Sequence, residues 1–249
     1  MIIEQLKALA IAAQGRSGLP GAVCDYPAYR ALHITAGNFL GIERLEQNLA
    51  HFLEQRESRL DRITTFVRAC DLDPAPALAA GHDPLPFLEG LDSWVTEHWS
   101  TGRIPKQRLS RQFWAEHCDD GSTPLYGFLS DLGLLMGEIL IAQRPECRWS
   151  FDVMARNREH SSFVNRLVVA GLAVPADVTL PSYYDPGLSA FFAMRTIRYH
   201  PDPGQHDLTW NIRARLSYYP ALEVAPSAAD PVIERSTHVE PERTLVTEE

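Results

Sequence analysis

From Leu125 to Val153 the chain passes from a segment that is apolar on nearly every side straight into an alternating one, and this unit limits what the rest can fold into. At 100° per residue, Leu125, Phe128, Leu129, Leu132, Leu135, Met136, Ile139 and Leu140 share one broad sector of a helix. Leu134 and Ile141 fall opposite, so no ordinary wet face is left. A helix apolar over most of its circumference belongs in an interior. Gly133 and Gly137 lie side by side between the apolar faces. Each glycine costs up to about 1 kcal/mol of helix propensity against alanine, so the pair predicts a neighbouring backbone packed close to that flank. Asp131 and Glu138 alone form an acidic stripe, about 10 Å apart along the axis.

Glycines at this spacing also suit paired membrane helices. The two acids, however, interrupt the apolar run short of the roughly 20 residues that a bilayer requires. No membrane-spanning segment is therefore expected here or elsewhere. Pro145 stops the helix, and Cys147, Trp149, Phe151 and Val153 alternate with Arg148, Ser150 and Asp152. That pattern predicts a strand with one buried aromatic face, folded back by the short link onto its own helix.

The run Asp131-Leu-Gly-x-x-x-Gly-Glu138, followed after a short link by Trp149 in a strand, resembles a motif of uncharacterised bacterial α+β domains. Some of those domains are immunity-type or other protein-binding modules without a defined catalytic site. The resemblance spans residues 85 to 200. It implies a binding role and leaves the partner unnamed.

Elsewhere the pattern is mainly helical. Residues 2 to 13 read as a short helix before a turn rich in glycine at 15 to 21, and residues 26 to 37 stay ambiguous. From Gly41 to Cys70, apolar residues recur at threes and fours, predicting one long helix of about 45 Å whose stripe is interrupted at Arg56 and Arg59. The proline-rich stretch from Asp71 to Pro84 is the candidate boundary. Helices are expected over 84–99 and 109–117, and 163–172 suits either a short helix or a buried strand. Asp185-Pro-Gly reads as an N-cap with proline at the first helical position. From Leu208 to Tyr218 six apolar residues alternate with polar ones; the spacing of Leu208, Ile212 and Leu216 also satisfies a helix, and we read a strand.

The expected architecture is thus α+β. A helical region over 1–80 precedes an α+β domain over 81–222, in which a small antiparallel sheet packs on the buried central helix. Residues 223–249 form an acidic, disordered tail. That tail begins close to where seven acids face two arginines beyond Pro220, which accounts for −5 of a net −9. A mildly acidic body without a basic stripe excludes nucleic acid as a partner. The first residues lack the basic and apolar regions of a secretory signal, and four scattered cysteines show no ligand spacing. A cytoplasmic protein with reduced thiols is expected.

Chemistry is weighed residue by residue. The loop Gly15 to Gly21 lacks the Gly-Lys-Ser/Thr of a phosphate loop and the Gly-x-Ser-x-Gly of a nucleophile elbow, so it reads as a turn. In Glu116-His117-Cys118-Asp119-Asp120, sequence neighbours do not share a helix face, so His117 is not placed to activate Cys118, and a solvent-exposed, idle thiol is expected. Asp131 and Glu138 suit either a cationic partner group or structural pairing with arginines such as Arg148, Arg166 or Arg195; pairing is favoured because a buried carboxylate must be paired or protonated. Arg213 and Arg215 suit either an acidic partner or acids of the same domain. No catalytic residue, cofactor or metal is expected. The reading favoured is a non-catalytic protein-binding module of immunity or accessory type. The alternative is a hydrolase or metal-dependent enzyme assembled from distant acids and histidines, with Asp131, Glu138, His117 or His160 contributing.

Overall fold

The computed structural model describes residues 23, 25–34, 40–99, 104–151, 166–172, 183–199 and 208–218. Among them are seven helices and a three-stranded antiparallel sheet, an α+β architecture. In chain order they are α1 (Ile42–Arg68), α2 (Ala75–Leu78), α3 (Leu85–His98), α4 (Arg111–His117), α5 (Pro124–Gln143), β1 (Arg148–Phe151), β2 (Leu167–Ala170), β3 (Tyr183–Tyr184), α6 (Pro186–Tyr199) and α7 (Trp210–Tyr218). A 3-10 turn at Lys106–Leu109 precedes α4.

α5 is the centre of the molecule. Every residue from Leu125 to Leu140 except Ser130 is buried, including both acids and all three glycines. Those glycines explain how so many elements reach one helix. A methyl group on Gly127 would lie 2.6 Å from Ala28 Cα, and one on Gly133 would lie 2.9 Å from Gly187 N at the start of α6. A methyl on Gly137 would overlap the Trp149 ring of β1. Close approach at three points around one helix is what small residues permit.

With its 20 residues α5 does reach membrane-spanning length and composition, which corrects the expectation that no segment does; 83% of its most apolar window is nonetheless enclosed by the rest of the protein. Around it the core is one contiguous cluster, from Val23 and Tyr26 through Leu45, Phe52 and Phe66 of α1 to Met194 and Ile212 near the other end of the described chain. α1 thus packs directly on α5, and its buried side chains share that cluster.

The strand expected after Pro145 forms as β1 and pairs with β2 in the register Trp149 to Val169. β2 falls within the stretch that suited either a helix or a buried strand, and it pairs onward with β3 through Val169 and Tyr184. Asp185 caps α6 as its sequence suggested: its Oδ1 accepts from Leu188 N at 2.8 Å. One element differs in kind. Residues 210–218, read as a strand, are helical. Leu208, Thr209, Ile212, Ala214 and Arg215 are buried, so polar positions of the alternation lie inside, and Trp210, which alternation would bury, is exposed. The 3.6-residue spacing governs there, and the six-for-six alternation is incidental. The helix at 2–13, the turn at 15–21 and the tail at 223–249 lie outside the described residues.

Candidate functional site

The acids of α5 meet arginines from α1. Asp131 Oδ1 accepts from Arg59 Nε at 2.6 Å, while its Oδ2 accepts from the Tyr26 hydroxyl at 2.9 Å and stands 3.5 Å from Arg62 Nη1. Two turns on, Glu138 takes a bidentate pair from Arg56, Nε to Oε1 and Nη2 to Oε2, each at 2.6 Å. The Trp149 indole N–H also donates to Glu138 Oε1 at 2.6 Å. Bidentate guanidinium–carboxylate geometry is the strong form of such a pair. Burial, and then the adjacent Asp131 carboxylate, hold the Tyr26 phenol well above its ordinary value. The partners are therefore Arg56, Arg59 and Arg62, the first two of which the sequence marks as interruptions of an apolar stripe; Arg148, Arg166 and Arg195 are not the partners.

Arg166 serves a different acid. Its Nε and Nη2 donate to Asp185 at 2.5 and 3.2 Å, its Nη1 lies 3.6 Å from Cys118 Sγ, and its guanidinium sits 3.8 Å from the centre of the Trp114 ring. Burial works against its charge, but Asp185, with Cys118 and Asp119, outweighs that and raises the guanidinium above its ordinary value. Cys118 is half-buried rather than solvent-exposed, and burial pushes its thiol up to about 12. A thiol held protonated in this way is a poor nucleophile at neutral pH. His117 Nδ1 lies 2.7 Å from Asp120 Oδ2, not against the thiol.

Between α1, α4, α5 and residues 29–31 lies a cavity of about 80 Å³. Its walls are mostly aromatic and aliphatic, with Phe52, Trp114, Leu129 and Trp149 among them. Tyr29, Asn48, Cys118, Asp119, Ser130 and Arg166 are also among its lining residues. Ala31 N donates to Asp119 O at 2.8 Å, which ties the 29–31 segment over this space. Asn48 is fixed by a two-way bridge, accepting from His33 N and donating to His33 O, both at 2.7 Å.

The remaining predicted residues lie on α7. Arg213 Nη2 stands 3.5 Å from Asp92 Oδ2 of α3. Arg215 is buried, donates to Asn211 O at 2.9 Å and to Tyr183 O at 3.2 Å, and lies over the Tyr184 ring. Asp92 also accepts from Thr209 N at 3.0 Å and from its hydroxyl at 2.5 Å, so α7 is anchored at its first turn. The four predicted residues thus fall into two places, Asp131 and Glu138 on the inner face of α5 and Arg213 and Arg215 on α7. Among the described residues no three His, Cys, Asp or Glu side chains gather as a metal-holding group; His160 lies outside them. Tyr29, Ser130 and Arg166 as walls of one cavity were not foreseen, and no spacing in the sequence joins three positions so far apart.

No known protein family, curated protein or solved structure matches this chain.

Proposed function

We propose that this chain is a non-catalytic protein-binding module of the accessory or immunity type, acting in the cytosol. The observation that carries the reading is Trp210, 56% exposed on the first turn of α7. Tryptophan is enriched at protein interfaces and among the residues that dominate their energy. This one stands on a helix anchored through Thr209, Arg213 and Arg215, so it is presented on a fixed support rather than a loop tip. A preorganised aromatic anchor lowers the ordering cost of association. The likeness of the 131–149 segment to protein-binding domains points the same way. So does the interior, where Asp131, Glu138 and Asp185 are each held by an arginine and the Cys118 thiol stays protonated.

The test is co-purification of the tagged full chain from its native cell. A partner at stoichiometric level is expected with the natural sequence and is lost with Trp210→Ala, while the thermal midpoint of the isolated chain does not move. Absence of any stoichiometric partner sinks the proposal.

A further inference from the structure

Every described residue that lines the cavity beside α5 is buried or half-buried, so the space lies inside the molecule. Its largest walls are the rings of Tyr29, Phe52, Trp114, Tyr126, Trp149 and Phe151. The polar groups among the walls are committed to the protein itself. Each of the three Arg166 side-chain nitrogens has a partner, two of them on Asp185 and the third at Cys118 Sγ. The Asn48 amide is closed by its two-way bridge to His33, and Ser130 Oγ accepts from Arg59 Nη2 at 2.8 Å. The Trp149 indole donates to Glu138 and the Tyr126 hydroxyl to Arg108 O, while Asp119 is engaged within the protein as well. The Tyr29 hydroxyl differs, being buried without a hydrogen-bond partner. One unmet hydroxyl does not make a polar site, because even a single ordered water needs two to four partners.

Charge and size narrow the class of occupant. An anion finds no open donor on Arg166, which Asp185 already neutralises. A cation is repelled by that same guanidinium, which stands 3.8 Å from the centre of the Trp114 ring and so occupies one aromatic face of the wall. What remains is a neutral guest held by dispersion contact with rings and leucines, whose inward atoms otherwise lack close neighbours. An apolar cavity of about 150 Å³ stays dry and binds benzene or xenon. At about 80 Å³ this one has room for about three or four heavy atoms.

We propose that this cavity is a binding site for a short hydrocarbon of about three or four carbon atoms, held without any hydrogen bond. The site is distinct from the exposed face of α7, and its test needs no partner protein. Cyclopropane, xenon and ethanol, the last a polar match for cyclopropane in heavy-atom count, are each equilibrated with the purified full chain. Binding is read from the methyl resonances of Leu45, Leu129 and Leu134, three of the walls, and from the xenon chemical shift. Cyclopropane and xenon are expected to bind saturably. Ethanol is expected to bind at least about tenfold more weakly than cyclopropane, because its hydroxyl would be buried without a partner. Ala31→Leu, which fills the space from one wall, is expected to abolish binding of both guests. Should that variant fail to fold, the size limit is read with benzene, which the natural chain is expected to refuse and Leu129→Ala to admit. Tyr29→Phe is expected to leave cyclopropane binding unchanged. Ethanol bound as tightly as cyclopropane, no saturable binding of cyclopropane or xenon (a space holding water alone), loss of cyclopropane binding in folded Tyr29→Phe, or its full retention by folded Ala31→Leu overturns the proposal.

Discussion

The Arg59 guanidinium and the Asp131 carboxylate meet at 2.6 Å with only 2% and 1% of their side chains exposed. A pair so deeply enclosed is stabilising only while both members are present, because removal of either leaves an uncompensated charge in the core.

Arg59→Met is therefore expected to lower stability by about 3–5 kcal/mol. Arg59→Met combined with Asp131→Leu should recover most of that loss, since both charges are then gone. Urea unfolding of the two single variants and the double variant measures the coupling; a double variant no more stable than the worse single one would refute it.

Gly137→Ala should be destabilising by about 1–3 kcal/mol, since the new methyl overlaps a Trp149 ring held by Glu138 and by edge contact with Phe52. Thermal unfolding decides it, and no change in midpoint would mean that the ring has room to move. Gly41→Ala is the control, because nothing lies within 4 Å of a methyl group there.

Stability should fall on the alkaline side. Burial raises the thiols of Cys70, Cys118 and Cys147 from 9.0 to about 12, and it raises the phenols of Tyr26 and Tyr184 as well. Groups raised in this way stabilise the fold fully below their unfolded value, and that contribution is lost as pH climbs toward the folded one. The urea midpoint is expected to decline progressively between pH 9 and 12, the span of the thiol shift. Cys118→Ala should soften the decline; an unchanged slope in that variant would count against the thiol as a cause.

On the acid side the relevant group is Asp120. Burial opposes its charge, but hydrogen bonds from Ser122 and His117 outweigh that and hold the carboxyl below its ordinary 3.8. Its contribution is present above that value and disappears as pH falls through the lower folded one. Asp120→Asn should therefore flatten the loss of stability below pH 3.8 and leave the acid limb above it untouched. Circular dichroism across an acid titration of both chains reads the difference.

The helices and the strand around Trp149 were legible because each repeats a period within its own sequence. The burial of α5 could be read from its lack of a polar face, and the cap at Asp185 from its position before Pro186. The partners of Asp131 and Glu138 could not, because pairing across 72 or 82 residues leaves no local trace. A faint signal did exist: Arg56 and Arg59 fall within an otherwise apolar stripe, where only a buried acid would make a guanidinium welcome. The misread of 210–218 has a related cause. Alternation and a four-residue spacing coexist there, and only packing against α3 and α5 chooses between them. The cavity is the least legible feature, since its polar walls come from five separate stretches of chain.

Arg56 reaches Glu138 while Arg59 and Arg62 reach Asp131, so rising numbers on one helix meet falling numbers on the other. The order of charges accordingly encodes direction. Laid head-to-head, or slipped by a single turn, the two rods would leave an acid facing hydrocarbon. Exchanging the signs across both contacts at once should preserve the arrangement, whereas exchanging them at one contact should leave the chain without any acceptable alignment.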